Sequence, residues 1–255
     1  MKKILSVLLA FALMAALAAC GKKDEPPTTS TPADSSDAPA ASSTPTPPDD
    51  EPLLPIDPYA DVPEDPKFFY WYDDKDNIIV EQYTGSNSIV RIPAEFEGLP
   101  VTEIGNDGTA GVFVGSETIE VVIIPEGVVK INSRAFKGLP NLKTVILPST
   151  LKYMYTYVFD DCPNLTDIVL PDNLISMAEG VFNDCDSLTR MAIPDSVTHD
   201  FRKAFNGVPV GFELVFRGVT YIGEAHEDLG IFYPGLAEAM IEAGIEQMPD
   251  KAQYS

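Results

Sequence analysis

The sequence predicts a solenoid of stacked 23-residue coils, mainly β, with a parallel sheet on one face. Three observations carry this reading. Phe113, Phe136, Phe159, Phe182 and Phe205 are each 23 residues apart. Pro125, Pro148, Pro171 and Pro194 keep the same 23-residue step. Between them Ile119, Leu142, Leu165 and Leu188 form one column, Val122, Val145, Ile168 and Met191 a second, and Ile124, Leu147, Leu170 and Ile193 a third. A unit this short cannot close its own core, so neighbours must bury it and the end units need caps.

Before the repeats, composition is uneven. Lys2 and Lys3 precede an unbroken apolar run from Ile4 to Ala19. That run is short for a membrane span, which needs about 20 apolar residues. A basic start, an apolar centre and a small-residue exit describe a secretory signal peptide over residues 1–19. The exit, Leu17-Ala18-Ala19-Cys20-Gly21, resembles a bacterial lipobox. The resemblance implies cleavage before Cys20 and lipidation of its thiol, which anchors an exported body to the cell membrane, facing outward. Residues 20–66 then read as a linker. Of the 23 prolines, 12 lie between Asp24 and Pro66, a stretch without Lys or Arg. Such a segment buries too little apolar surface to offset its ordering entropy.

Residues 67–217 carry the repeats and their N-terminal cap. Phe68–Tyr72 is five aromatics in a row, which a strand splits into Phe68/Tyr70/Tyr72 and Phe69/Trp71. One set covers the open end of the core, leaving the other to face solvent. Asp73-Asp74-Lys75-Asp76-Asn77 is a charged hairpin turn between Tyr72 and Ile78, lacking the Gly and closing Glu of a calcium loop. Pro93 to Phe113 is 20 residues where Pro125 to Phe136 is 11, so the first unit carries nine extra residues. These lie around Glu97–Pro100 and Asn106–Gly111.

Within each full unit the segment before Pro is a short strand. Val145 and Leu147 point inward, and Pro ends the strand where no ladder donor is needed. The residue between the inward positions points out. That column is Ile123, Ile146, Val169, Ala192 and Val215, uncharged throughout, with Val121, Thr144, Asp167, Arg190 and Glu213 two residues earlier. An outward apolar stripe is a candidate contact surface. Val and Ile also suit strands on either face, so the stripe alone does not decide. Tyr153, Tyr155 and Tyr157 alternate around inward Met154 as further candidate contacts. Tyr155 is aligned with Gly180 of the next unit.

The last unit departs from the pattern, with Arg217 in place of Pro and Gly211 in place of Leu. Residues 218–255 form a C-terminal cap. Leu236, Met240, Ile241 and Ala243 at helical spacing predict a short helix over the open end, with Pro234 in its first turn.

The text INSRAFKGLPNLKTVILP from Ile131 to Pro148, and its echo MAEGVFNDCDSLTRMAIP from Met177 to Pro194, resembles the BspA-like leucine-rich repeats of bacterial surface proteins. The resemblance covers about Phe68 to Arg217. It implies a leucine-rich-repeat solenoid capped by an N-terminal β-hairpin.

Chemistry is sparse. The chain holds 39 acidic and 17 basic residues, a net charge of -22, which repels nucleic acid and disfavours electrostatic docking on anionic lipid. Three cysteines are too few for a disulfide scaffold, and two histidines leave little room for a metal site or a hydrolytic triad. Cys162 and Cys185 occupy equivalent positions in adjacent units, where reduced, buried thiols are favoured over a disulfide. His199-Asp200 lacks a nucleophile motif and reads as a solvated loop. No catalytic, metal or cofactor constellation emerges. The expected function is therefore non-catalytic binding or adhesion to a protein or glycan partner, or else a structural role in assembling the envelope without a diffusible ligand.

If Cys20 is lipidated, Cys20→Ala abolishes partitioning into the detergent phase on phase separation. Equal partitioning of the two forms rules the anchor out.

Overall fold

The computed structural model describes residues 58–106, 111–226 and 230–245. The signal segment, Cys20 and the linker up to residue 57 lie outside the described residues.

The successive coils contribute strands to two walls. One wall holds β3 (Ile89–Arg91), β6 (Val121–Ile123), β8 (Thr144–Ile146) and β10 (Asp167–Ile168), paired in parallel in the order β10-β8-β6-β3. The other begins with the antiparallel hairpin β1 (Phe68–Tyr72) and β2 (Ile78–Tyr83). It continues in parallel through β5 (Leu99–Ile104), β7 (Lys130–Ile131), β9 (Tyr153–Met154) and β11 (Ser176–Met177). This second ladder is the longer one, and its strands follow Val128, Leu151 and Leu174 closely in sequence. Two-residue strands give too short an alternation for the sequence to declare them.

The core lies between the walls. Phe113, Phe136, Phe159, Phe182 and Phe205 are buried, with consecutive ring centroids 5.4, 5.3, 5.6 and 5.4 Å apart. Phe68 and Tyr83 extend the column at one end, Tyr83 lying 5.3 Å from Phe113. Phe212 extends it at the other, 5.4 Å from Phe205. The inward strand residues Val122, Val145, Ile168 and Met191 are buried, and Leu147 packs half-buried against the core.

Polar side chains lock coil to coil at the turns. Asn141 Nδ2 donates to the Glu117 carbonyl and Asn164 Nδ2 to the Pro140 carbonyl, the same bond one coil on. The thiols of Cys162 and Cys185 are free and donate to the carbonyls of Phe136 and Phe159, at 3.2 and 3.1 Å. Burial pushes the Cys162 thiol up to about 12 and raises Cys185 likewise. Both are therefore poor nucleophiles at neutral pH.

The ends are closed by hairpins. Part of the insertion in the first unit is β4 (Glu95–Phe96), paired with Leu99–Pro100 through a turn in which Glu97 and Gly98 both have positive φ. Phe96 stacks on Tyr70 at 4.5 Å and Glu97 accepts the Tyr72 hydroxyl at 2.7 Å. The Asp73 turn forms as expected. Its carboxylate accepts the side chain and backbone of Asn77 and the backbone of Lys75, which lowers its pKa. Asp65 is buried beneath the cap, accepting from the Tyr83 hydroxyl at 2.6 Å and from Asn87. Burial, then the bond to Asp65, lifts Tyr83 to about 12.

At the far end β12 (Arg190–Ile193) pairs in parallel with β13 (Glu213–Phe216), which turns back antiparallel into β14 (Val219–Ile222). Arg217 and Gly218, both at positive φ, make that two-residue turn. Arg217 thus stands where Pro was expected because the strand reverses there. A small hairpin, β15 (Glu224–His226) with β16 (Gly230–Phe232), precedes the helix α1 (Leu236–Glu242). Leu236 and Met240 are buried as expected, but Ile241 is 69% exposed. Positions 236, 240 and 243 share a face, and 241 falls outside it. Pro234 lies outside the helix, whose N-cap is Gly235 at φ 78°.

Phe159 sits between two stacked rings. Phe159→Ala opens a cavity there and costs about 3–5 kcal/mol of stability. An unchanged melting temperature would refute the ring column as the core.

Candidate binding surface

The outward column of the first wall is uneven. Val169 is 77% and Ile146 36% exposed, and Ala192 is also exposed. Val215 is half-buried. Ile123, expected to face solvent, is 3% exposed. The register sets Arg91 beside Ile123, and the Arg91 guanidinium donates to the carbonyls of Val62 and Tyr59. The chain before the repeats therefore crosses this end of the face and covers it. Val121 and Thr144 are buried with it, whereas Asp167 and Arg190 are exposed.

The uncovered part coincides with a break. The first ladder ends at β10, and β12 begins a separate sheet with β13 and β14. Asp is a poor strand former, and β10 is Asp167 followed by Ile168 alone. Two adjoining solvent-open hollows flank Val169. One, of about 790 Å³, is lined by Val169, Ala192 and Val215 among others, with Asp172, Asp195, Arg190 and Arg217 around it. The other, of about 550 Å³, includes Ile146 and Val169, with Glu126, Asp167 and Asp172. Arg190 pairs with Glu213 at 3.1 Å, and the Arg217 guanidinium lies 5.5 Å over the Phe216 ring. Apolar floor and charged rim are the anatomy of a contact surface. The rim acids Asp172 and Asp195 were legible as residues following Pro171 and Pro194, 23 apart, but nothing in the spacing placed them around a hollow.

The three tyrosines lie elsewhere. Tyr153 is on β9, in the second wall, and all three are half-buried. The structure does not bring them to the apolar stripe. The residue equivalent to Gly180 is Tyr157, not Tyr155: Arg134, Tyr157 and Gly180 stand 23 apart at φ 63°, 60° and 69°. Tyr157 holds a left-handed turn position, its ring lying over Gly180 and under the Arg134 guanidinium, 5.6 Å away. It therefore serves packing. His199 is half-buried, with Nδ1 3.1 Å from the Thr198 hydroxyl, and Asp200 pairs with Arg202 at 2.5 Å. Among the described residues no group of three or more His, Cys, Asp or Glu side chains could hold a metal ion. No described helix is long and apolar enough to cross a membrane.

Residues 107–225 match the family model for a BspA type leucine rich repeat region, in 6 copies. No curated protein matches the sequence. Among solved structures, the chain is similar to a leucine-rich repeat protein of T. pallidum, at 27% identity and TM-score 0.48 over 61% of this chain and 65% of that one. It is similar to a leucine-rich repeat protein of Bacteroides ovatus at 22% identity and TM-score 0.46, over 61% and 37%. The pneumococcal vaccine antigen PcpA matches at 17% identity and TM-score 0.41, over 60% and 35%. The chain thus spans less than two thirds of the length of each.

A Cβ built on Gly180 would lie 2.4 Å from the Tyr157 ring. Gly180→Ala therefore collides as well as straining a left-handed residue, and lowers stability by about 1–2 kcal/mol or more. Adding Tyr157→Ala recovers part of the loss in a double-mutant cycle. Additive losses would show that the two do not touch.

Proposed function

Taking residues 107–225 as a BspA-type leucine-rich repeat region, we propose that the chain is an outward-facing, lipid-anchored binding protein. The anchor is Cys20, the residues before the repeats tether it, and the repeats contact a protein or glycan partner without performing chemistry on it. One observation carries the reading: Val169, a large aliphatic residue, stands 77% exposed between two hollows, with Ile146 and Ala192 beside it. An apolar stripe inside a charged rim, left uncovered where Ile123 of the same column is covered, favours desolvation by a partner. Glycan adhesion uses the same face through the polar rim, with Asp172, Asp195, Glu126 and Arg190 as hydrogen-bonding groups.

The test is cross-linking on intact cells followed by mass spectrometry. The Ile146→Asp/Val169→Asp variant keeps its circular dichroism and melting temperature, because neither side chain is core. It loses the species that the unaltered chain captures. A folded variant that captures the same species would refute the stripe as the contact surface.

A further inference from the structure

Strand β1 ends its sheet: among the described residues it pairs with β2 on one side. The Lys67 carbonyl accepts from Thr84 and the Asp73 N–H donates to Asn77, so the odd-numbered backbone groups turn inward. Alternation then turns those of Tyr70 and Tyr72 outward. Phe68–Tyr72 carries no charge and no proline, two of the usual protections of an exposed edge; the register shift between Phe69 and Tyr70 leaves the extra residue, Glu81, on β2, so alternation along β1 is unbroken. Its outer-face row is Phe69 and Trp71, 59% and 53% exposed, flanked in sequence by Lys67 on one side and on the other by Asp73, whose carboxylate also holds the turn. Reversed upon itself, this row with its flanks sets Lys against Asp and Phe against Trp.

We propose that β1 is the docking edge for a second copy of this chain, paired antiparallel about a two-fold axis at Tyr70. Such an axis stands perpendicular to the sheet and keeps each face with its own kind. Tyr70 N–H and C=O meet those of Tyr70 in the second copy, and each Tyr72 N–H reaches a Phe68 carbonyl. Phe69 lies opposite Trp71 and Lys67 opposite Asp73, and symmetry makes each pair twice. Opposite-charge and aromatic cross-strand pairs both stabilise. The chain's net charge of -22 opposes association, but salt screens it over about 8 Å at physiological strength, whereas the edge pairs are in contact. This inference concerns the second wall and does not depend on the stripe at Val169.

The chain's single tryptophan, Trp71, reports on the contact directly. The full chain in detergent solution is followed by sedimentation and tryptophan emission across a wide concentration range. A reversible dimer is expected, with emission shifting to shorter wavelength as it forms. Phe69→Lys removes two aromatic pairs and sets like charges beside each other, weakening the dimer about tenfold or more with unchanged circular dichroism. The Ile146→Asp/Val169→Asp variant dimerises as the unaltered chain does. A second measurement uses chains carrying Phe69→Cys and Trp71→Cys together, which form an intermolecular disulfide on mild oxidation. A monomer at every concentration, a dimer indifferent to Phe69→Lys, or a dimer abolished by the Val169 variant overturns the proposal.

Discussion

The fold depends on one repeated contact, the stacking of a phenylalanine from each coil on the next. The rings are offset rather than face to face, with interplanar angles of 21°, 15°, 11° and 18° from Phe113 to Phe205. Offset stacking suits the ring quadrupole and is worth about 0.5–1.5 kcal/mol per pair beyond its area. Its 5.3–5.6 Å centroid spacing is compatible with the roughly 4.8 Å spacing of paired strands. A coil therefore gains both its ladder bonds and its ring contact from the same neighbour. No coil completes either alone, which makes stability a matter of neighbours and of ends.

The ends show what that dependence requires. Phe113 is covered by Phe68 and Tyr83, and Phe205 by Phe212. Both covers lie on or beside hairpins built with left-handed turns, at Asp76 in the first and at Arg217-Gly218 in the second. The inserted Glu97-Gly98 hairpin adds a further layer over Tyr70. Hairpins interrupt the parallel order, so the solenoid is closed by a change of strand direction. The same device leaves edge strands at its extremities, where backbone groups and rings meet solvent.

The two walls differ in what they offer a partner. On the first wall the segment before the repeats covers Ile123, and the ladder breaks after Asp167, leaving Ile146, Val169 and Ala192 uncovered in one place. The second wall carries its exposed rings at the strand edge of β1, far along the sheet order from β11. Buried thiols and paired acids elsewhere serve packing. Cys162 and Cys185 spend their hydrogens on carbonyls, and Asp200 its charge on Arg202.

Much of this was legible in the chain. Steps of 23 residues among Phe, Pro and Leu determined the stacking, the core columns and the two faces of each pre-proline strand, because a periodic core writes itself as a periodic sequence. The buried Cys162 and Cys185, the Asp73 turn and the burial of Leu236 and Met240 followed from position alone. What tertiary structure decided has no period. The burial of Ile123 depends on Arg91 gripping Tyr59 and Val62, residues about 30 positions away. The ladder also stops beside Val169, between two coils of near-identical pattern, a break that no period announces. Tyr157 took a glycine's backbone conformation, and Ile241 turned outward although its composition suits a core. Local pattern fixes which residues want burial. Long-range contacts fix which of them receive it.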